Sequence, residues 1–302
     1  MEPSRPTVRC YPVAAARGSF AALNVWLRHL KISADLLGEI VVNFVVAGDA
    51  GAFLGGAIHV NRVVATLAQQ LAAMFFDPAL DRVRWVACFD LLGTRDLLAK
   101  GEEARVFEAY TDACDKLSRD GALVNGVGHA WFSDTFLIVA ADESAASFVE
   151  MDRLARSFAY FLLCRRVPFR GAISCGQMYA DFDDRVYLGL GMVEGYEYGE
   201  GQDWVGLVLC PSAMLRLQSF GLSLDNRLNW QLFPVPWTKR PQGCPDNLPA
   251  YILGQSFRVN GRNLCLEALR EMLSALDIGN VGVRQKYLRA IDFIEAYRRT
   301  PA

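Results

Sequence analysis

The order of the apolar segments predicts an α+β protein, a mixed sheet with helices packed on one face. Three observations carry that prediction: short runs rich in β-branched and aromatic residues recur from residue 84 onward, longer stretches between them repeat apolar residues at helical spacing, and turn formers separate the two kinds. In order they read as a strand at 84–89, a helix at 102–117, a strand pair about Asn125-Gly126 (122–124 with 129–139) and a helix at 145–164. After Pro168 comes a second strand pair, 169–179 with 186–190, joined by the acidic turn 181–184. A short helix and a strand at 204–209 follow, then a Pro-rich loop with brief extended pieces at 229–252 and a helical tail at 264–299. The layout is β-α-β-β-α-β-β-α-β. In a β-α-β-β-α-β core the first and third strands lie side by side.

Residues 1–80 differ in composition, being Ala- and Gly-rich, and are read as an N-terminal appendage with one helix from Asn61 to about Phe76, stopped by Asp77-Pro78. The main domain is expected at 81–255, with a C-terminal helical segment, 256–302, packed on it.

The bulk numbers exclude several classes. A chain of 302 residues with 52% hydrophobic content and net charge −2 is long enough for a proper core and too balanced for a disordered or polycationic protein. Its basic residues are interspersed with acids, so no nucleic-acid stripe is read. Eight scattered cysteines, several in apolar runs, suit a reducing compartment; with no signal peptide recognised, a cytoplasmic location is expected. The most membrane-like stretch, 36–60, is interrupted by Glu39, Asn43 and Asp49, so no span is read there. The three histidines lie far apart and no Cys-x-x-Cys occurs, which leaves no zinc motif.

Two aspartates stand out, Asp90 in Val86-Ala-Cys-Phe-Asp-Leu-Leu-Gly-Thr94 and Asp134 in Ala130-Trp-Phe-Ser-Asp-Thr-Phe-Leu-Ile-Val139. A carboxylate in so apolar a run is costly to bury unless it meets a cation or several donors, and two of them point to a shared divalent ion. Leu91 adds a backbone carbonyl, and the N–H groups of Leu92, Gly93 and Thr94 are placed to turn toward an anion. Hard oxygen ligands suit Mn²⁺ or Mg²⁺, and backbone donors at a Gly-containing turn suit a triphosphate. An Asp before such a turn is also a common turn former or helix cap, so spacing alone leaves both roles open.

Four segments resemble the class III nucleotidyl cyclases, and within them the bacterial pyrimidine cyclases of Pycsar antiphage defence. They are Phe89-Asp-Leu-Leu-Gly-Thr94, Phe132-Ser-Asp-Thr135, Phe169-Arg-Gly-Ala-Ile-Ser-Cys-Gly176, and Leu188-Gly-Leu-Gly-Met-Val-Glu-Gly-Tyr-Glu197 followed by Gln202-Asp-Trp-Val-Gly206. The resemblance spans about 82–300 and implies a ferredoxin-like core and a head-to-tail homodimer. It also implies two divalent ions held by Asp90, Asp134 and the Leu91 carbonyl, with Leu92, Gly93 and Thr94 cradling phosphates.

Two departures from the purine cyclases matter. Those enzymes hold adenine with a Lys four residues before the second aspartate and an Asp three residues before the Gly of the later strand motif. Here the first is Ala130 and the second, with Gly189 as that Gly, is Val186. Val193 and Glu197 align with the transition-state Asn and Arg, so Arg170 is the candidate to replace the missing charge; an ion pair with one of the acids at 181–184 is the other role open to it. The expected substrate is UTP, with CTP the alternative. The product would act on a separate effector, and a catalytically inactive nucleotide sensor is the rival reading. Trp131, Tyr187, Tyr196 and Trp204 are aromatics of a kind that stack on bases, although aromatics in strands and packed helices more often belong to the core.

Overall fold

The computed structural model describes residues 80–119, 127–222 and 229–298. Residues 81–182 and 187–302 form one compact unit. The expected helix at 61–76, with the rest of the appendage up to residue 79, and the expected strand at 122–124 lie outside the described residues.

Strand β1 (Asp81–Leu91) is followed by α1 (Thr94–Ala99) and α2 (Glu103–Arg119), then by β2 (Gly128–Phe132), β3 (Thr135–Val139), α3 (Ala145–Cys164) and β4 (Phe169–Asp181). Next come β5 (Val186–Leu188), α4 (Leu190–Glu200), β6 (Gly206–Leu209) and α5 (Pro211–Ser219). The chain continues through β7 (Trp230–Phe233), β8 (Leu248–Tyr251), a small ribbon of β9 (Arg258–Val259) and β10 (Arg262–Asn263), α6 (Leu264–Ala275) and α7 (Val281–Arg298).

The main sheet runs β2-β3-β1-β4-β6-β8-β7, with β5 paired to β4. Its first four strands have the split β-α-β-β-α-β arrangement, all antiparallel, and β1 and β3 are neighbours as expected. β6 then joins β4 in parallel, which makes the sheet mixed. The fold class is therefore the α+β mixed sheet that the pattern predicts, but the helices are not confined to one face as expected, since α4 packs on the other.

Alternation along β1 decides what each face carries. Trp85, Ala87, Phe89 and Leu91 enter the large core with α2 and α3, where Phe89 meets Phe158 edge-on at 4.8 Å and Phe136 stacks on Phe158 at 4.1 Å. Val86 and Cys88 face the other way, into a smaller cluster with Leu137, Val139, Met178 and Ala180, against which Met192 of α4 packs. So α2 and α3 cover one face and α4 the opposite one. Close approach of α4 depends on missing side chains: a Cβ at Gly195 would lie 2.8 Å from Cys88 Sγ.

Two sequence expectations are corrected here. The single strand read at 129–139 is a tight hairpin of β2 and β3, with Ser133 and Asp134 as its turn. Ser133 takes φ 59°, a conformation usually signalled by Gly or Asn, and so the turn left no mark in the sequence. The helical tail is two helices, broken where Leu276 leaves helical geometry before Asp277 and Gly279. Helices α1 and α5 and the pairing of β7 with β8 went unread because each is short.

Gly195→Ala is expected to destabilise the protein by about 1–3 kcal/mol through that clash. Adding Cys88→Ala should recover part of the loss, read as non-additivity in denaturant unfolding. Strictly additive effects would show that α4 does not press on β1 at this point.

Candidate active site

The site is built at the end of β1. Opposite residues of an antiparallel pair share a face, so the register puts Thr135, Asp90 and Arg170 in one row across β3, β1 and β4. Arg170 Nε donates to Asp90 Oδ2 at 2.6 Å, and its NH1 donates to the Gln202 carbonyl at 3.1 Å. The two side chains are 15% and 17% exposed, enough burial to make the pairing matter. Gln202 is fully buried and locks the arrangement. Its amide donates to the carbonyls of Gly171 and Tyr198, both at 2.8 Å, and accepts the Trp204 indole N–H at 2.7 Å.

Asp134 reaches the same place through the hairpin turn. The Leu91 N–H donates to the Asp134 carbonyl at 2.9 Å, tying the turn to the residue after Asp90. The Trp131 indole N–H donates to the Ser133 carbonyl at 2.6 Å and holds the turn from its other side. The two predicted acids are thus brought together. Asp90's carboxyl is pushed above its ordinary range by burial first, drawn back by the hydrogen bond and charge of Arg170, and raised again by the charges of Asp134 and Glu200. The site carries more negative charge than Arg170 neutralises.

After Leu91 the chain turns. Gly93 has φ 72° with open space around its Cβ position, so a side chain there is opposed by backbone conformation and not by neighbours. The Leu92 N–H donates to the Pro168 carbonyl at 2.9 Å, leaving Gly93 and Thr94 of the three expected anion donors. The Leu91 carbonyl accepts the Thr94 hydroxyl at 3.3 Å and keeps a second lone pair.

Among the described residues no three His, Cys, Asp or Glu side chains are grouped to hold an ion alone. Two carboxylates and a carbonyl nevertheless suit Mg²⁺ or Mn²⁺, which commonly take few protein ligands and fill the rest with water and substrate phosphates. The guanidinium on Asp90 shows that this carboxylate is satisfied by a cation.

Arg170 pairs with Asp90, and among the described contacts it is not bonded to the acids at 181–184. Trp204 is fully buried in a stack with Phe233, which makes it core. Tyr187 packs edge-on against Phe182. Trp131 lies on Tyr110 with ring centroids 3.8 Å apart. On α4, Tyr196 and Glu200 bear on the acids: the Tyr196 phenol is raised by burial first and then by Glu200, Asp90 and Asp134. Glu200, Tyr110 and the locking role of Gln202 escaped sequence reading, since only Gln202 lay in a singled-out motif.

One alignment is corrected. Gly189, taken as the glycine of the later strand motif, lies outside the strands as the N-cap of α4. The glycine that opens a strand is Gly206, at the start of β6, and three residues before it stands Asp203. That carboxylate is engaged: Arg289 of α7 pairs with Oδ2, and Lys286 Nζ lies 3.9 Å from Oδ1.

No protein-family model and no curated protein matches the chain. Solved structures to which it is similar are nucleotide cyclases. One is a guanylyl cyclase, 12% identical, matched over 57% of this chain and 91% of that one with a TM-score of 0.40. Another is the catalytic core of a rhodopsin-guanylyl cyclase with converted specificity in complex with ATPαS, 10% identical, over 57% and 94%, TM-score 0.43. A third is an adenylyl cyclase from P. aeruginosa, 10% identical, over 57% and 94%, TM-score 0.39. No described helix is long and apolar enough to cross a membrane.

Arg170→Ala is expected to destabilise the metal-free protein by about 1–3 kcal/mol, because it strands a largely buried carboxylate. The double variant Asp90→Asn, Arg170→Ala should be more stable than the sum of the single effects allows. A double-mutant cycle by urea unfolding that gives no coupling would remove the pair from the account of how the site is held.

Proposed function

We propose that this chain is a metal-dependent nucleotidyl cyclase that converts UTP into 3′,5′-cyclic UMP and pyrophosphate. The observation that carries the proposal is the meeting of Asp90 and Asp134 at the end of β1, with a surplus of negative charge beside the open turn at Gly93 and Thr94. Asp90, Asp134 and the Leu91 carbonyl would hold the ions. Bound there, two divalent ions, Mn²⁺ or Mg²⁺, would make the ribose 3′-hydroxyl more acidic and neutralise the triphosphate.

The protein's own groups place the substrate. The N–H groups of Gly93 and Thr94 donate to phosphate oxygens, and Arg170, beside Asp90, offsets charge developing on the phosphates. The 3′-oxygen attacks the α-phosphorus and loses its proton to solvent. The bond from that phosphorus to the α,β-bridging oxygen breaks, and pyrophosphate leaves.

A pyrimidine is favoured because one purine-reading group is missing and the other is engaged: Ala130 offers no ammonium, and Asp203 is paired with Arg289 and lies near Lys286. A homodimer is part of the proposal, supported by the exposed apolar side chains Leu190, Val193 and Tyr196 on α4, the helix that also carries Glu200. The resemblance extends the reading to a cytoplasmic second messenger made on phage infection and sensed by a separate effector.

Purified protein incubated with each of the four NTPs and Mn²⁺ should yield cyclic UMP as the main product by mass spectrometry. Cyclic CMP in its place would move the assignment to a cytidylate cyclase. Cyclic AMP as main product would overturn the pyrimidine reading, and tight NTP binding without turnover would make the chain a sensor. Asp134→Ala should abolish product while the protein stays folded by circular dichroism.

A further inference from the structure

One polar group close to the acid pair has no role in this scheme. Tyr110, on α2, is 1% exposed, and its hydroxyl is buried without a hydrogen-bond partner among the described residues. A buried hydroxyl left unpaired opposes folding, so such groups in a native structure call for an explanation. The ring is held firmly. It stacks on Trp131 at 3.8 Å and packs against Phe136 at 5.5 Å and Phe158 at 6.2 Å.

Those contacts fix Tyr110 against both strands of the β2–β3 hairpin, beside the turn that carries Asp134. Trp131, on which the ring lies, also holds that turn through the Ser133 carbonyl. The phenol is raised by its burial first, and the charge that bears on it most is that of Asp134, ahead of Cys114 and Asp90.

We propose that Tyr110 is the positioning residue of Asp134: its hydroxyl is the donor reserved for the Asp134 carboxylate when that carboxylate turns to hold a divalent cation. The hydrogen bond fixes one carboxylate oxygen and directs the other at the ion, in the way that outer groups orient metal ligands generally. The proposal rests on the assignment of Asp90 and Asp134 as ligands. It adds that the hairpin approaches the cation-bound arrangement through a group on α2, and that the unpaired hydroxyl of the metal-free protein is satisfied on binding.

Tyr110→Phe tests this, because it removes the hydroxyl and keeps the ring stack. Mn²⁺ binding to the full chain, followed by the electron paramagnetic resonance signal of free Mn²⁺, should weaken about 10-fold or more in the variant. The melting temperature of the metal-free variant should be equal to or above that of the wild type, since only an unpaired hydroxyl has been lost. Mn²⁺ affinity unchanged in Tyr110→Phe, with affinity lost in Asp134→Ala, would overturn the role of Tyr110 and leave the metal site standing. Wild-type protein that binds no Mn²⁺, or binds it equally after Asp134→Ala, would overturn the metal reading and this proposal with it. A metal-free melting temperature that falls in Tyr110→Phe would show that the hydroxyl already has a structural partner, which also defeats the proposal.

Discussion

The antiparallel ladder between β1 and β4 is the constraint on which the site depends. It runs without interruption from Asp81 opposite Tyr179 to Leu91 opposite Phe169. Because side chains alternate, this register sends Phe89 into the aromatic core and Asp90 to the face it shares with Arg170. A slip of one residue would put the carboxylate among Phe136 and Phe158 and the phenyl ring at the site. Both changes are unfavourable, since an unpaired carboxylate in an apolar core costs several kcal/mol and an exposed Phe forfeits about 1.5–3. The core thus fixes the position of the acid, and the acid needs only its guanidinium to remain there.

Around that ladder the rest of the site is held by hydrogen bonds between neighbours. Gln202 satisfies two carbonyls and the Trp204 indole and offers its own carbonyl to Arg170, so the guanidinium is aimed from two directions. Asp134 is aimed by the Leu91 amide and by the indole that grips Ser133. These are inexpensive interactions singly, about 0.5–1.5 kcal/mol each, but they converge on two side chains. The electrostatic result is a face with Asp90, Asp134 and Glu200 against one guanidinium, a local field that attracts cations and tolerates a polyanion only with them.

Much of this was legible along the chain wherever local signals are strong. Helix α3 begins and ends where its periodicity said, from Ser144, whose side chain caps Ser147, to Cys164. The hairpin was misread because its positive-φ residue is a serine, while Asn125-Gly126 drew attention to a different turn. The glycine of the later strand motif was read as Gly189 because Gly189 and Gly206 look alike in sequence, and only strand pairing shows that Gly206 is the one that opens a strand.

The sequence by itself determined the class of fold and singled out the two acids as candidates, because alternation, periodicity and a carboxylate in an apolar run are properties of neighbouring residues. Tertiary structure alone decided that Arg170 belongs to Asp90, that Arg289 and Lys286 engage Asp203, that α4 covers the second face, and that the Tyr110 hydroxyl is buried with no hydrogen-bond partner among the described residues. Each of these joins residues from different elements, 80 positions apart for Arg170 and Asp90. Their distance is set by how the sheet packs, and no local pattern records it.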